Sequence, residues 1–140
     1  MPTGAFETDG VEATWALAAK VAASLKSGDV VCLEGDLGAG KTTFVQGLAA
    51  ALGAGGRVAS PTFCIVREHR CADGLLFVHM DLYRLGGEDD VLAIGWEDYL
   101  ERGAILAVEW PDRAGSLVPP DAVHISFKHL DGENRRLITI

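Results

Sequence analysis

The sequence predicts an α/β fold, with a mostly parallel central sheet flanked by helices and closed by a C-terminal antiparallel hairpin. Three observations predict it. Several apolar runs of strand length do not alternate with polar residues, the pattern of strands buried on both faces of a parallel sheet. Two stretches with three- and four-residue apolar spacing read as the covering helices. The last two apolar runs flank Asp131-Gly132, a hairpin signal.

The elements follow in order. Val11, Trp15, Ala18, Ala22 and Leu25 recur at helical spacing, so a helix is expected over residues 11–26. Asp9 with Glu12 three residues on predicts a capped start, and Lys26 with Gly28 a stop. Residues 30–33 form a short apolar run, a Gly-rich turn follows, and residues 41–52 read as a second helix ended by Gly53. Residues 63–67 are expected as a strand and Asp73-Gly74 as a turn. The run 75–80 ends in Asp81, and the run 104–108 ends in Glu109. Between them the chain is mixed, with a short helix expected around residues 96–100. Residues 123–128 and 137–140 make the hairpin. No repeat, low-complexity segment or linker interrupts residues 1–140, and Pro119-Pro120 marks a loop, so a single domain is expected.

Composition narrows the function. The 140 residues carry 12 Lys+Arg against 20 Asp+Glu, a net charge of −8. A chain that repels phosphate overall lacks the basic footprint of a protein whose sole partner is duplex nucleic acid. Hydrophobic residues at 49% and charged residues at 23% exclude disorder. The N-terminus shows no basic, then apolar, secretory pattern, and no apolar run approaches the ~20 residues of a membrane span. Cys32, Cys64 and Cys71 are odd in number and form no C-x-x-C pair. They read as small buried thiols in a reduced, cytoplasmic compartment, with no membrane partner.

The chemistry sits in Gly35-Asp36-Leu37-Gly38-Ala39-Gly40-Lys41-Thr42, which fits G-x-x-x-x-G-K-[ST] at every fixed position. Glycines let backbone N–H groups turn inward around a phosphate, and the following helix aims its positive end at the same anion. Lys41 is expected between β- and γ-phosphates, and the Thr42 hydroxyl on Mg²⁺. A strand before the loop and a helix after it make the fold P-loop NTPase-like. Hydrolysis also needs a carboxylate near the metal, and Asp81 and Glu109 are the candidates. If their strands run parallel to residues 30–33, both emerge at the edge that carries the phosphate loop. The bland reading of each is a solvated strand end. Ser60-Pro61-Thr62 offers a hydroxyl for a γ-phosphate or a water, though from the residues alone a plain turn is the preferred reading. His79 reads as a core histidine and Trp110 as a packing residue.

Four strings carry a resemblance: residues 35–44, Ser60-Pro61-Thr62-Phe63, His79-Met80-Asp81-Leu82-Tyr83-Arg84-Leu85, and Glu109-Trp110-Pro111. In this order and spacing they resemble the TsaE (YjeE) family, over nearly the whole chain. The resemblance implies a Mg²⁺-dependent ATPase that supports threonylcarbamoyladenosine modification at position 37 of tRNA. It implies slow turnover alone and action on a TsaB–TsaD heterodimer, with tRNA contacted through that complex. Asp36, Leu37, Gly38, Ala39, Gly40, Lys41, Thr42 and Thr43 match the phosphate loop. Thr42 and Glu109 match the metal ligands, Asp81 an acidic residue acting on metal or water, and Thr62 a switch-like threonine. Adenine is implied between the start of the first helix, near Val11 and Thr14, and the last hairpin, near Gly132. Arg84 is expected to pair with phosphate or with a partner acid, and Arg135 and Arg136 to lie on the closing strand. Two other readings use the same loop: a small-molecule P-loop kinase, which needs an acceptor pocket and an Arg-bearing lid, and a nucleotide-gated binding module without catalysis.

Overall fold

The computed structural model describes residues 1–36, 40–54, 65–132 and 134–140. Among these residues seven strands form one sheet in the order β1-β7-β6-β2-β5-β4-β3. The strands are β1 (Ala5–Thr8), β2 (Val30–Gly35), β3 (Val66–Arg70), β4 (Leu76–Asp81), β5 (Ile105–Glu109), β6 (Val123–His129) and β7 (Arg136–Thr139). The helices are α1 (Val11–Ala22), α2 (Lys41–Ala51), α3 (Glu88–Ala93) and α4 (Trp96–Glu101). The central strands β6, β2, β5 and β4 run parallel, and antiparallel strands add at both edges. The sheet is therefore mixed: the parallel part is the middle that carries the loop, and the expected hairpin is β6–β7.

Two apolar layers explain the non-alternating runs. On one face α1 and α2 cover Val31, Leu33, Phe77, Ile105, Ala107 and Ile125. On the other, α3, α4 and the Pro111–Leu117 turn cover Val30, Cys32, Val78, Met80, Leu106 and Val108. Successive residues of β2, β4 and β5 thus go into opposite cores, and both sets are apolar. Phe44 of α2 meets Phe127 of β6 edge-on, with centroids 5.4 Å apart, a pairing that adds about 0.5–1.5 kcal/mol to area burial. Cys32 and Cys71 are buried free thiols, as expected, and burial with Glu34 nearby pushes Cys32 up to about 11.

Several local expectations are revised. The first helix ends at Ala22, not at residue 26, because residues 23–29 are drawn into tight turns. There the Asp29 carboxylate accepts from the Lys26 N–H, Ser27 Oγ donates to the Gly103 carbonyl, and the Gly28 N–H donates to Ala104. Its start is not capped by Asp9, since the N-cap is Gly10, which has no side chain to bond the first turn. The strand expected at 63–67 is described as Val66–Arg70; residues 63 and 64 lie outside the described set. The mixed segment holds α3 as well as α4. Its first turn carries Glu88, Asp89 and Asp90, which suit the positive end of a helix. β1 has no sequence signal of its own and exists by pairing Phe6 with Ile138 at the far end of the chain. The edge strand β3 is Arg-, Glu- and His-rich, which blunts it against pairing with another chain.

At Gly35, where β2 becomes the loop, φ is +147°, and a Cβ would sit 2.5 Å from the Phe127 carbonyl oxygen of β6. The loop can leave the sheet here only because this residue lacks a side chain. Gly35→Ala is expected to lose about 1–3 kcal/mol in urea unfolding; an unchanged midpoint would contradict the contact. Glu88 accepts the Ser116 N–H at 2.5 Å and the Ser116 hydroxyl, fastening α3 to the Pro111–Leu117 turn. The Ser116 bonds hold its carboxyl below the ordinary 4.5. A lowered folded-state value stabilises the fold above 4.5 and is lost as pH falls through the folded value. The melting-temperature advantage of the wild type over Glu88→Gln should therefore be present at neutral pH and fade in acid.

Candidate functional site

The site lies at the C-terminal edge of the parallel strands. β2 ends at Gly35, β4 at Asp81 and β5 at Glu109. Register aligns them, with Leu33 opposite Glu109 and Glu109 opposite Asp81. Both candidate carboxylates therefore do emerge where the phosphate loop leaves the sheet, as ligand sites do in open α/β sheets.

Glu109 is the centre of the site. It is 6% exposed, although it is charged and at a strand end. One oxygen, Oε2, is 2.7 Å from His79 Nε2, and the other, Oε1, is 3.7 Å from Lys41 Nζ. The Lys41 ammonium, itself 8% exposed, donates at 2.6 Å to the Gly35 carbonyl, spanning the loop from its last residue to its first. A buried lysine and a buried glutamate neutralise each other here, and each would be costly alone. Lys41 also opens α2, whose N-cap Gly40 has φ +101° and contributes no capping side chain. The first helical bond in this turn runs from the Phe44 N–H to the Gly40 carbonyl, so the N–H groups of Lys41, Thr42 and Thr43 lie before the intrahelical ladder begins. N–H groups outside the helical ladder, the helix dipole and an ammonium coincide at one point, which is the chemistry of an anion site.

Asp81 is half-buried, and its Oδ1 accepts the Tyr83 N–H at 3.1 Å. It folds the turn after β4, while Glu109 alone of the pair touches Lys41 and His79. Trp110 follows with φ +57°, a left-handed conformation that is strained for a bulky residue. Its ring lies 4.9 Å from the exposed Tyr83 ring and 5.6 Å from Lys41 Nζ, with the Arg113 guanidinium at 5.9 Å. Trp110 is thus more than a packing residue, for it forms part of the wall beside the lysine.

On the other flank, Arg136 of β7 stands against the loop, since a Cβ on Gly40 would meet its side chain at 3.7 Å. Thr8 pairs with Arg136 across β1–β7, which brings the chain entering α1 to the same place. Val11 is 48% exposed at the start of α1. Thr14 is buried, and its hydroxyl donates to Thr8 Oγ1 at 3.0 Å, so that hydroxyl is engaged within the fold. Gly132 lies in the β6–β7 turn with φ +105°. Arg135 ties that turn to β1 through Glu7. Asp36 is exposed, and Thr42 and Thr43 are half-buried. Leu37, Gly38, Ala39 and Thr62 lie outside the described residues.

His79 is the core histidine that the sequence predicts. It is fully buried, but it is bonded to the site's carboxylate. The signal available was period two: His79 shares a strand face with Asp81 and stands one diagonal step from Glu109. Arg67 faces it across β4–β3, and His69 lies two residues along. Burial first, then electrostatic repulsion from the neighbouring His79 and Arg67, holds His69 below its ordinary range.

For a divalent metal, the fitting donors are the Glu109 carboxylate and the Thr42 hydroxyl, hard oxygens suited to Mg²⁺. Among the described residues, no group of three or more His, Cys, Asp and Glu side chains forms a metal cage. A metal here would complete its shell with phosphate oxygens and water, as Mg²⁺ commonly does.

Strand, loop, helix and paired strand-end carboxylates define a P-loop NTPase-like domain. Comparison with known proteins narrows the class. The family model described as "Threonylcarbamoyl adenosine biosynthesis protein TsaE" matches residues 8–138. The chain is 42% identical over 135 residues to the tRNA threonylcarbamoyladenosine biosynthesis protein TsaE of Bacillus subtilis, covering 96% of this chain and 82% of that protein. It is 41% identical over 131 residues to the protein of the same name from Aquifex aeolicus, covering 92% and 89%. The crystal structure of Bacillus subtilis YdiB superposes with a TM-score of 0.76 at 37% identity, covering 96% of this chain and 82% of that one. The chain belongs to the TsaE family.

The buried Glu109 hydrogen bond makes a stability prediction. Glu109→Gln keeps an acceptor for His79 but removes the counter-charge of the buried Lys41, so it should lose stability in urea relative to the wild type. Glu109→Ala also strands the buried His79 Nε2–H and should cost about 1–3 kcal/mol more. Equal midpoints for the two variants would show that the hydrogen bond carries no stability.

Proposed function

We propose that the protein is a Mg²⁺-dependent ATPase of tRNA threonylcarbamoyladenosine synthesis, acting on a TsaB–TsaD complex in the cytoplasm. The observation that carries this reading is Lys41 at the N-terminus of α2, held by the Gly35 carbonyl and facing Glu109 across the sheet edge. Family membership supports the pathway. The net charge of −8 supports a role in which partners supply most of the tRNA contact.

In this reading the loop residues 36–43 cradle the phosphates of ATP or ADP. Lys41 leaves the Gly35 carbonyl for the β- and γ-phosphates. Thr42 and Glu109 hold Mg²⁺, which neutralises phosphate charge and polarises the phosphoryl oxygens when bound. Asp81, at the next strand end, orients or deprotonates the attacking water, and Thr62 senses the γ-phosphate. Water adds to the γ-phosphorus as the bond to the β-bridging oxygen breaks, giving ADP, phosphate and a proton. Val11, Thr14 and Gly132 mark the adenine side, with Thr14 contributing shape alone because its hydroxyl bonds Thr8 and its N–H bonds the Gly10 carbonyl. Trp110 and Tyr83 screen the phosphates from solvent on the opposite side.

The test is calorimetry with ADP and ATP, with and without Mg²⁺, joined to phosphate release with and without TsaB–TsaD. Wild type should bind nucleotide, turn over slowly and speed up when the partners are added. Lys41→Ala should weaken nucleotide binding at least tenfold, and Glu109→Gln should abolish Mg²⁺-dependent turnover while keeping the fold. Wild-type rates in both variants would sink the site assignment. Phosphate appearing on a small hydroxyl compound would favour the kinase reading instead.

A further inference from the structure

His79 raises a question that packing does not answer. It is fully buried in β4, the last strand of the parallel run, between Ala107 of β5 and Arg67 of β3. An imidazole there costs desolvation that a leucine would not. Nε2 is bonded to Glu109 Oε2, and Nδ1 is buried without a hydrogen-bond partner among the described residues. An ionised carboxylate only accepts, so Nε2 carries the proton and donates it into that bond.

The distances around Glu109 show what that bond does. Charged N–H···O contacts close to about 2.7–2.9 Å when nothing opposes them. Lys41 Nζ stays 3.7 Å from Glu109 Oε1 although both are buried and opposite in charge. Two restraints account for the gap: the Gly35 carbonyl holds the ammonium from one side, and His79 holds the carboxylate from the other. Without the imidazole, the carboxylate is free to swing onto the ammonium with both oxygens, which would occupy the oxygen a metal needs.

We propose that His79 is a positioning residue: its Nε2–H holds Glu109 back from Lys41, so that one carboxylate oxygen stays available to a divalent cation. This rests on the nucleotide and Mg²⁺ reading above. The two bonds follow the pattern in which a ligand's free atom is oriented by a donor behind it.

Two experiments test it. Nitrogen-15 NMR of the labelled, nucleotide-free protein reads the His79 tautomer. The expected signature is a protonated Nε2 and a bare Nδ1, with both shifts perturbed in Glu109→Gln. A bare Nε2 overturns the proposal, and this measurement needs no His79 variant to fold. The second is calorimetric titration of ADP with increasing Mg²⁺. In His79→Leu, ADP binding without metal should stay within about twofold of wild type, while the Mg²⁺ needed for half-maximal effect rises about tenfold. His79→Gln, whose amide can still donate to Glu109, should recover most of that loss. Wild-type Mg²⁺ dependence in His79→Leu, beside a wild type that binds ADP, overturns this proposal alone. A wild type that binds no nucleotide overturns the functional reading and this one with it.

Discussion

One buried carboxylate organises this end of the molecule. Glu109 is held by an imidazole on one oxygen and faces an ammonium with the other, in a place where water is nearly excluded. Such a group is stable only while its partners remain, and stripping one partner from a buried ion pair typically costs about 3–5 kcal/mol. Three strands and a helix must therefore be placed correctly at once: β5 brings Glu109, β4 brings His79, and β2 with α2 brings Lys41. The parallel register of β2, β5 and β4 is the device that does this, because parallel strands end at the same edge.

The rest of the fold serves that edge. Two apolar layers clamp the sheet from both sides, so the strand ends do not shift relative to one another. The antiparallel additions lie outside the parallel middle. On one side β7 delivers Arg136 to the flank of the loop, and on the other β3 sets Arg67 opposite His79. Strain is stored where the chain turns out of the sheet, at Trp110. That turn aims an indole at Lys41, and the Tyr83 ring, tilted against it at 4.9 Å, packs beside it. A strained residue beside a charged site is a common feature of ligand clamps.

The arrangement also orders the roles of the two acids. Asp81 and Glu109 are equals in sequence, each ending an apolar run. In the fold Asp81 accepts a backbone N–H from its own turn, while Glu109 is gripped by side chains from two other elements. Glu109 is therefore the fixed group, suited to hold a cation, and Asp81 the more exposed one, suited to meet water. Membership of the TsaE family fits a small acidic domain whose chemistry is concentrated at one sheet edge.

By itself the sequence determined the α/β class, the strand–loop–helix around Lys41, the hairpin at the C-terminus and the two strand-end acids. These are local: helical spacing, non-alternating apolar runs, and a glycine-lysine loop whose function needs those residue types in that order. Only the tertiary structure decided what depends on distant partners. β1 has a single large apolar residue and becomes a strand because β7, far along the chain, offers it a ladder. Residues 23–29 leave the helical path because Ser27 and Gly28 find the carbonyls of Gly103 and Ala104, just before β5. His79 carries a local hint in its two-residue spacing from Asp81, but its bond to Glu109 exists only once β4 and β5 lie side by side. Short-range propensity is written in neighbouring residues. The pairing of a buried charge is written in whichever strand arrives beside it.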